Sequence, residues 1–118
     1  MDRMVIGKNI YIGPLVILID ATSFSASEHF SSGMQASGRA MIIGERTPGG
    51  ASAMYVTVLS NDAILGYPVA ELLAPDGTVL EGYGIIPDIH VDLERNQLLQ
   101  GIDAQLQVAI DTIIETAR

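Results

Sequence analysis

From Ile10 to Glu28 the chain reads Ile-Tyr-Ile-Gly-Pro-Leu-Val-Ile-Leu-Ile-Asp-Ala-Thr-Ser-Phe-Ser-Ala-Ser-Glu. The part up to Asp20 is an apolar, largely β-branched run ending in a polar residue, which predicts a strand buried on both faces of a parallel or mixed sheet covered by helices. The small residues Ala21 to Ser27 cannot extend that strand. Glu28 to Ala36, with Phe30, Gly33 and Met34 at helical spacing, predicts a helix after a tight turn.

Working outward, Gly38 closes the helix, Ala40 to Ile43 resumes a short strand, and Arg46-Thr-Pro-Gly-Gly-Ala51 forms a turn, completing a βαβ-like unit. Met54 to Leu59 and Val69 to Leu73 then read as strands of a hairpin or meander, with a turn at Pro75-Asp-Gly-Thr78. Asp103 to Ala117 predicts an amphipathic closing helix with Asp103 as N-cap and Leu106, Ala109, Ile110 and Ile113 on its apolar face. The class is α/β.

A length of 118 residues, 48% of them hydrophobic, suits one domain. Six scattered Lys and Arg stand against 14 Asp and Glu, a net charge of -8, so no basic stripe is available to nucleic acid. The longest apolar run, Leu15 to Ile19, is far short of the roughly 20 residues of a membrane-spanning helix. The N-terminus lacks the order of a signal peptide. Without cysteine there is no disulfide, thiolate nucleophile or Cys-based metal site, and His29 and His90 lack metal-ligand spacing, so neither metal nor cofactor is expected.

Ser25 has the best position for chemistry, between a buried strand and a helix whose N-terminal N–H groups suit an oxyanion. Ser25-Ala-Ser-Glu28 equally matches a capping box, which explains both Ser25 and Glu28 without catalysis. There is no Gly-x-Ser-x-Gly elbow. His29 sits on the same helix with no third group to orient it, so it reads as structural. His90, between the inward Ile89 and Val91, reads as a solvated strand face. Glu81 fits an exposed turn, and the adjacent Gly49 and Gly50 fit either a turn needing positive φ or a close backbone approach.

Three segments carry a resemblance: Leu18-Ile-Asp-Ala-Thr-Ser-Phe-Ser-Ala-Ser-Glu-His-Phe30, Gly38-Arg-Ala-Met-Ile-Ile-Gly-Glu-Arg-Thr-Pro-Gly-Gly50 and Glu81-Gly-Tyr-Gly-Ile-Ile-Pro-Asp-Ile89. Together, and with the helix opened by Asp103-Ala-Gln-Leu106, they closely resemble the nucleophile region of the C-terminal-processing, tail-specific and tricorn-type serine peptidases, family S41. The likeness covers the chain from about Tyr11 onward. It implies a crotonase-like (ClpP-like) spiral of ββα units, of which residues 1–118 are a single partial domain, the later half. It also implies Ser25 as nucleophile, the Ala26 N–H as an oxyanion donor, and Ser23 and Ser27 as supporting turn residues. The implied substrate is a peptide or unfolded protein, and the implied location extracytoplasmic in bacteria.

One departure makes the resemblance closer to the tricorn-like branch. The Ser/Lys members carry Thr-x-Gly-Lys-Gly, whereas this chain has Thr47-Pro-Gly-Gly-Ala51, with Gly50 at the lysine position and no lysine after Lys8. The tricorn-like branch instead takes a histidine from far upstream, outside this chain, and a glutamate that Glu81 matches as the orienting carboxylate. The chain alone is then expected to be nearly inactive, and its exposed core-facing surface is expected to favour self-association. The alternative is a non-catalytic ligand-binding or interaction module on the same fold, as in the interphotoreceptor retinoid-binding proteins.

Overall fold

A computed structural model describes residues 10–118; Arg3 and Lys8 lie outside the described residues. The β-branched Val16–Ile19 forms β1, α1 spans Ala26–Ala36, and β2 is Met41–Gly44. These two strands pair in parallel, with Ile17 opposite Ile42 and Ile19 opposite Gly44. The strand β5, Ile89–His90, adds to the other side of β2, also in parallel, giving the order β1-β2-β5. The predicted βαβ unit is therefore present. Gly38 ends α1 as expected: at φ 64° it sits just past the Ser37 cap, and the Gly38 and Arg39 N–H groups reach back to the carbonyls of Gln35 (2.9 Å) and Met34 (3.0 Å).

The double-sided burial predicted for β1 fails there and is found in β2 instead. Ile42 and Ile43 point to opposite faces and both are fully buried, Ile42 in a cluster with Ile19, Ala40, Ala51, Leu80 and Ile85. Leu18, beside Ile43 on the second face, is 39% exposed, and Ile10, Tyr11 and Ile12 are all exposed. β1 is an edge strand, and α3 (Ala104–Thr116) only partly covers that face.

Each long helix buries only part of the face that its apolar spacing predicts: Met34 of α1 packs on the core cluster and Ala109 of α3 is buried, but polar residues share the inward side. Along α1 the buried residues are Glu28, Ser31 and Ser32, while Phe30 is exposed. Small side chains allow a close approach to β2, and Ser32 Oγ returns its proton to the His29 carbonyl at 3.1 Å. In α3 the Asp103 cap forms, accepting from the Leu106 N–H at 2.9 Å, but Gln105 and Ala109 face inward while Leu106 and Ile110 face solvent. Gln105 Nε2 donates to the Val91 carbonyl at 2.9 Å, and this long-range contact sets the rotation of the helix.

The hairpin has different limits from those expected. β3 is Ala53–Val58 and β4 is Ile64–Ala70, paired antiparallel, while Leu73 only bridges Val79 across the Pro75–Thr78 turn. The turn that closes β3–β4 is at Asn61-Asp62, where Asp62 takes φ 61°. Pro68 lies within β4 opposite Met54, next to a register shift; a two-stranded ribbon has only edges, so a residue without an N–H is tolerated there. Almost every residue of the hairpin is exposed, Tyr55 and Tyr67 included, their rings 5.6 Å apart. A short helix α2, Arg95–Leu98, precedes α3. Among the described residues no helix is long and apolar enough to cross a membrane.

Candidate active site

The site is built where β1 ends. Asp20 Oδ1 accepts from the Thr22 N–H (2.9 Å), the Thr22 hydroxyl (2.8 Å) and the Ser23 hydroxyl (3.0 Å), folding residues 20–23 into a self-contained turn. The Thr22 hydroxyl foremost, then the Thr22 N–H and Ser23, holds the Asp20 carboxyl below its usual range, against some desolvation. Phe24 emerges exposed, and Ser27 Oγ donates to its carbonyl at 2.6 Å. Ser23 and Ser27 are thus turn supports.

Ser25 itself has φ 60° and ψ -122°. An ordinary N-cap is extended. A side chain in this left-handed region costs about 1–3 kcal/mol, a strain that persists only where surrounding structure enforces it. The two contacts of the capping box are both within reach but unequal. Glu28 Oε2 accepts from the Ser25 N–H at 3.0 Å, whereas the Glu28 N–H is directed at the Ser25 carbonyl, 3.0 Å away, and the Ser25 side chain makes no cap hydrogen bond. Among the described residues the Ala26 N–H donates to no group, and it lies at the positive end of α1. Without a Gly-x-Ser-x-Gly sequence, the chain still makes a strained strand-to-helix elbow.

Opposite the elbow, the loop Thr47–Ser52 is held by three acidic or basic side chains. Glu28, fully buried, accepts on Oε1 from the Thr47 hydroxyl (2.6 Å) and the Gly49 N–H (2.8 Å). His29 Nε2 lies 2.8 Å from the Ala51 carbonyl, which can only accept, so the ring donates there and its role is structural, as expected. Glu81 Oε2 accepts from the N–H groups of Ala51 (2.9 Å) and Ser52 (2.7 Å). The Ser52 hydroxyl, then these N–H groups, keeps the Glu81 carboxyl below its usual range; the two N–H contacts are the ones with hydrogen-bond geometry. Glu81 is thus an exposed residue, yet one tied to the loop that faces Ser25.

The same loop is pressed onto Leu80–Ile85. The Gly82 N–H donates to the Gly49 carbonyl (2.7 Å), the Ile85 N–H to Thr47 Oγ1 (2.7 Å), and the Thr47 N–H to the Ile85 carbonyl (3.2 Å). A β-carbon on Gly84 (φ 66°) would fall 2.0 Å from the Thr47 carbonyl oxygen, and one on Gly49 (φ 80°) 2.6 Å from the Gly84 nitrogen. Of the two adjacent glycines, only Gly49 has positive φ. At Gly50 a β-carbon would sit 3.1 Å from Phe24 Cδ2, so a lysine there would require the Phe24 ring to move. The Pro87-Asp88 pair is structural: Asp88 accepts from the Ile42 N–H (2.7 Å) and from Gln35 Nε2 (2.9 Å), docking β5 against β2 and α1. His90 is exposed and bonded to Asp92 at 2.9 Å, the solvated strand face that alternation predicts.

Sequence reasoning missed the reach of Glu28 and Thr47. A capping box explains Glu28 locally, and nothing local marks a partner 19 or 21 positions away. Among the described residues no cluster of His, Asp and Glu suits a metal ion.

Comparison with known proteins agrees with these segments. Residues 5–91 match the model of peptidase family S41. A carboxy-terminal-processing protease of Bartonella bacilliformis is 34% identical over 93 residues, 79% of this chain and 21% of the relative. The chloroplastic carboxyl-terminal-processing peptidase 3 of Arabidopsis thaliana is 34% identical over 87 residues, 74% of this chain and 17% of its own. Among solved structures, tricorn protease superposes with a TM-score of 0.78 at 28% identity, covering 87% of this chain and 10% of that one. The photosystem II D1 C-terminal processing protease gives 0.59 at 34% identity, over 67% of this chain and 20% of that one. The chain spans about a fifth of the length of the curated relatives it matches.

Proposed function

The chain belongs to peptidase family S41, and from that premise we propose that it carries the nucleophile of a serine-type peptidase acting on peptides or unfolded proteins. The observation that carries the reading is the strained Ser25 at the N-terminus of α1. A base takes the Ser25 proton while Oγ attacks the peptide carbonyl carbon. The Ala26 N–H donates to the oxyanion, the C–N bond breaks as the amine receives the proton, and water then hydrolyses the acyl ester.

No base stands ready among the described residues: His29 is engaged with Ala51, and His90 is exposed on β5, bonded to Asp92. The base is a histidine supplied from upstream, as in the tricorn-like branch, and Glu81 orients it. Glu81 Oε2 is occupied by the Ala51 and Ser52 N–H groups, so this role falls to Oε1. Gly50 and the Phe24 ring beside it support the assignment to a branch without the loop lysine.

The domain is the later half of a crotonase-like spiral. Support comes from the small buried cluster and from a radius of gyration of 17.7 Å, against about 13–14 Å for a compact domain of this length. On its own the chain is inactive and self-associates, because an unpartnered two-stranded hairpin is marginal in water and β3–β4 exposes Met54, Val56, Ile64 and Val69. A clean monomer by light scattering removes that last point. The test of the function is hydrolysis of an unfolded protein by the complete protein containing this chain, with and without Ser25→Ala. Cleavage lost in the variant is expected; equal cleavage by both leaves a binding module.

A further inference from the structure

We infer that Glu28 is a positioning residue for the proposed reaction: one carboxylate holds the Ser25 elbow and the facing Thr47–Gly50 loop in a single fixed relation. This rests on Ser25 being the nucleophile. Three donors converge on Glu28, divided between its oxygens: the Ser25 N–H on Oε2 at 3.0 Å, and the Thr47 hydroxyl and Gly49 N–H on Oε1 at 2.6 and 2.8 Å. A capping box needs only the first of these. The other two reach across 19 and 21 residues to the opposite side of the site.

The direction of each bond is forced. Thr47 Oγ1 already accepts from the Ile85 N–H at 2.7 Å, so its own proton points to Glu28, and the line Ile85 N–H, Thr47 O–H, Glu28 runs one way. Glu28 is fully buried, so a lost partner leaves a buried donor unpaired. A glutamine amide cannot serve this site. In one orientation its NH2 opposes the Ser25 N–H. In the other it opposes the Gly49 N–H and turns the Thr47 proton away from its acceptor. Either way the elbow and the loop are released from each other while the chemical groups of both remain present. The expected signature is a defect in turnover and not in substrate binding.

The experiment uses the complete protein containing this chain, cleaving an unfolded protein substrate, with folding checked by thermal unfolding. Glu28→Gln should lower kcat on the order of 10- to 100-fold, since a misplacement near 1 Å costs that much, with KM held within about threefold. Thr47→Val, which removes the bridging hydroxyl at constant volume, should move kcat in the same direction, and Thr47→Ser should recover most of that loss. If Glu28→Gln does not fold, the Thr47 pair carries the test. Ser25→Ala is measured alongside. Loss of cleavage in Ser25→Ala with Glu28→Gln and Thr47→Val both at wild-type kcat overturns the positioning role and leaves the nucleophile standing. A rise in KM at unchanged kcat also overturns it. Full activity in Ser25→Ala removes the nucleophile, and this inference with it.

Discussion

Ser25 offers a stability test that separates a helix cap from a nucleophile without measuring activity. Replacing a hydrogen-bonded N-cap serine by alanine costs about 0.5–2 kcal/mol. Here the Ser25 side chain makes no cap hydrogen bond, and alanine keeps the β-carbon that makes φ 60° unfavourable. Ser25→Ala is therefore expected within about 0.5 kcal/mol of wild type. Ser25→Gly differs, because it relieves a strain of about 1–3 kcal/mol and adds about 0.5–1 kcal/mol of unfolded-state entropy. The net expectation is a gain near 1 kcal/mol, a rise in Tm of about 2–4 °C if the whole domain has roughly 150–250 residues. Urea unfolding of the complete protein and its two variants, followed at the transition of this domain, provides the assay. A loss above about 1 kcal/mol in Ser25→Ala restores the cap as the reason for the serine. A destabilised Ser25→Gly refutes the strain.

Two further outcomes follow from the loop contacts. Gly84 and Gly82 both have positive φ, but a β-carbon meets the Thr47 carbonyl at 2.0 Å in the first case and nothing within 4 Å in the second. Gly84→Ala should therefore cost several kcal/mol and Gly82→Ala only about 1 kcal/mol by thermal unfolding; equal losses would refute the packing of the Thr47 loop on Gly84. For Glu81, the folded carboxyl is held below the usual glutamate value of 4.5, mainly by the Ser52 hydroxyl and N–H. Its contribution is therefore complete above that value and lost as pH falls through the lower folded one. Protection of the Ala51 and Ser52 amides from hydrogen exchange should exceed that of Glu81→Gln at neutral pH and converge with it in acid, and a difference that persists in acid refutes the carboxylate anchor.

Local patterning carried much of the fold. The β-branched run at Val16–Ile19, the small-residue break after Asp20 and the Gly38 stop together specify strand, elbow and helix, because each depends on backbone preferences within a few residues. The Asp103 cap was legible for the same reason. The hairpin limits were less so, since Asn61-Asp62 and Pro75-Asp-Gly are both good turns and pairing across β3–β4 decides which one joins the strands. Helix rotation escaped the pattern too. Apolar spacing marks a stripe at Leu106, Ala109, Ile110 and Ile113; Ala109 is buried, but with Gln105 held on Val91 the side chains of Leu106 and Ile110 are left on the surface.

The candidate site divides along the same line. Sequence alone determined that a serine would stand between a β-branched strand and a helix, with a glutamate at the third helical position and two adjacent glycines downstream. Each of those features is local in the chain. Only the tertiary structure decided that Ser25 is strained and not an ordinary cap, that Glu28 spends its second oxygen on Thr47 and Gly49, that Glu81 holds the far side of that loop, and that Gly84 must lack a side chain. The contacts of Glu28, Glu81 and Gly84 join residues 19 to 37 positions apart, and no short-range preference encodes a partner at that distance.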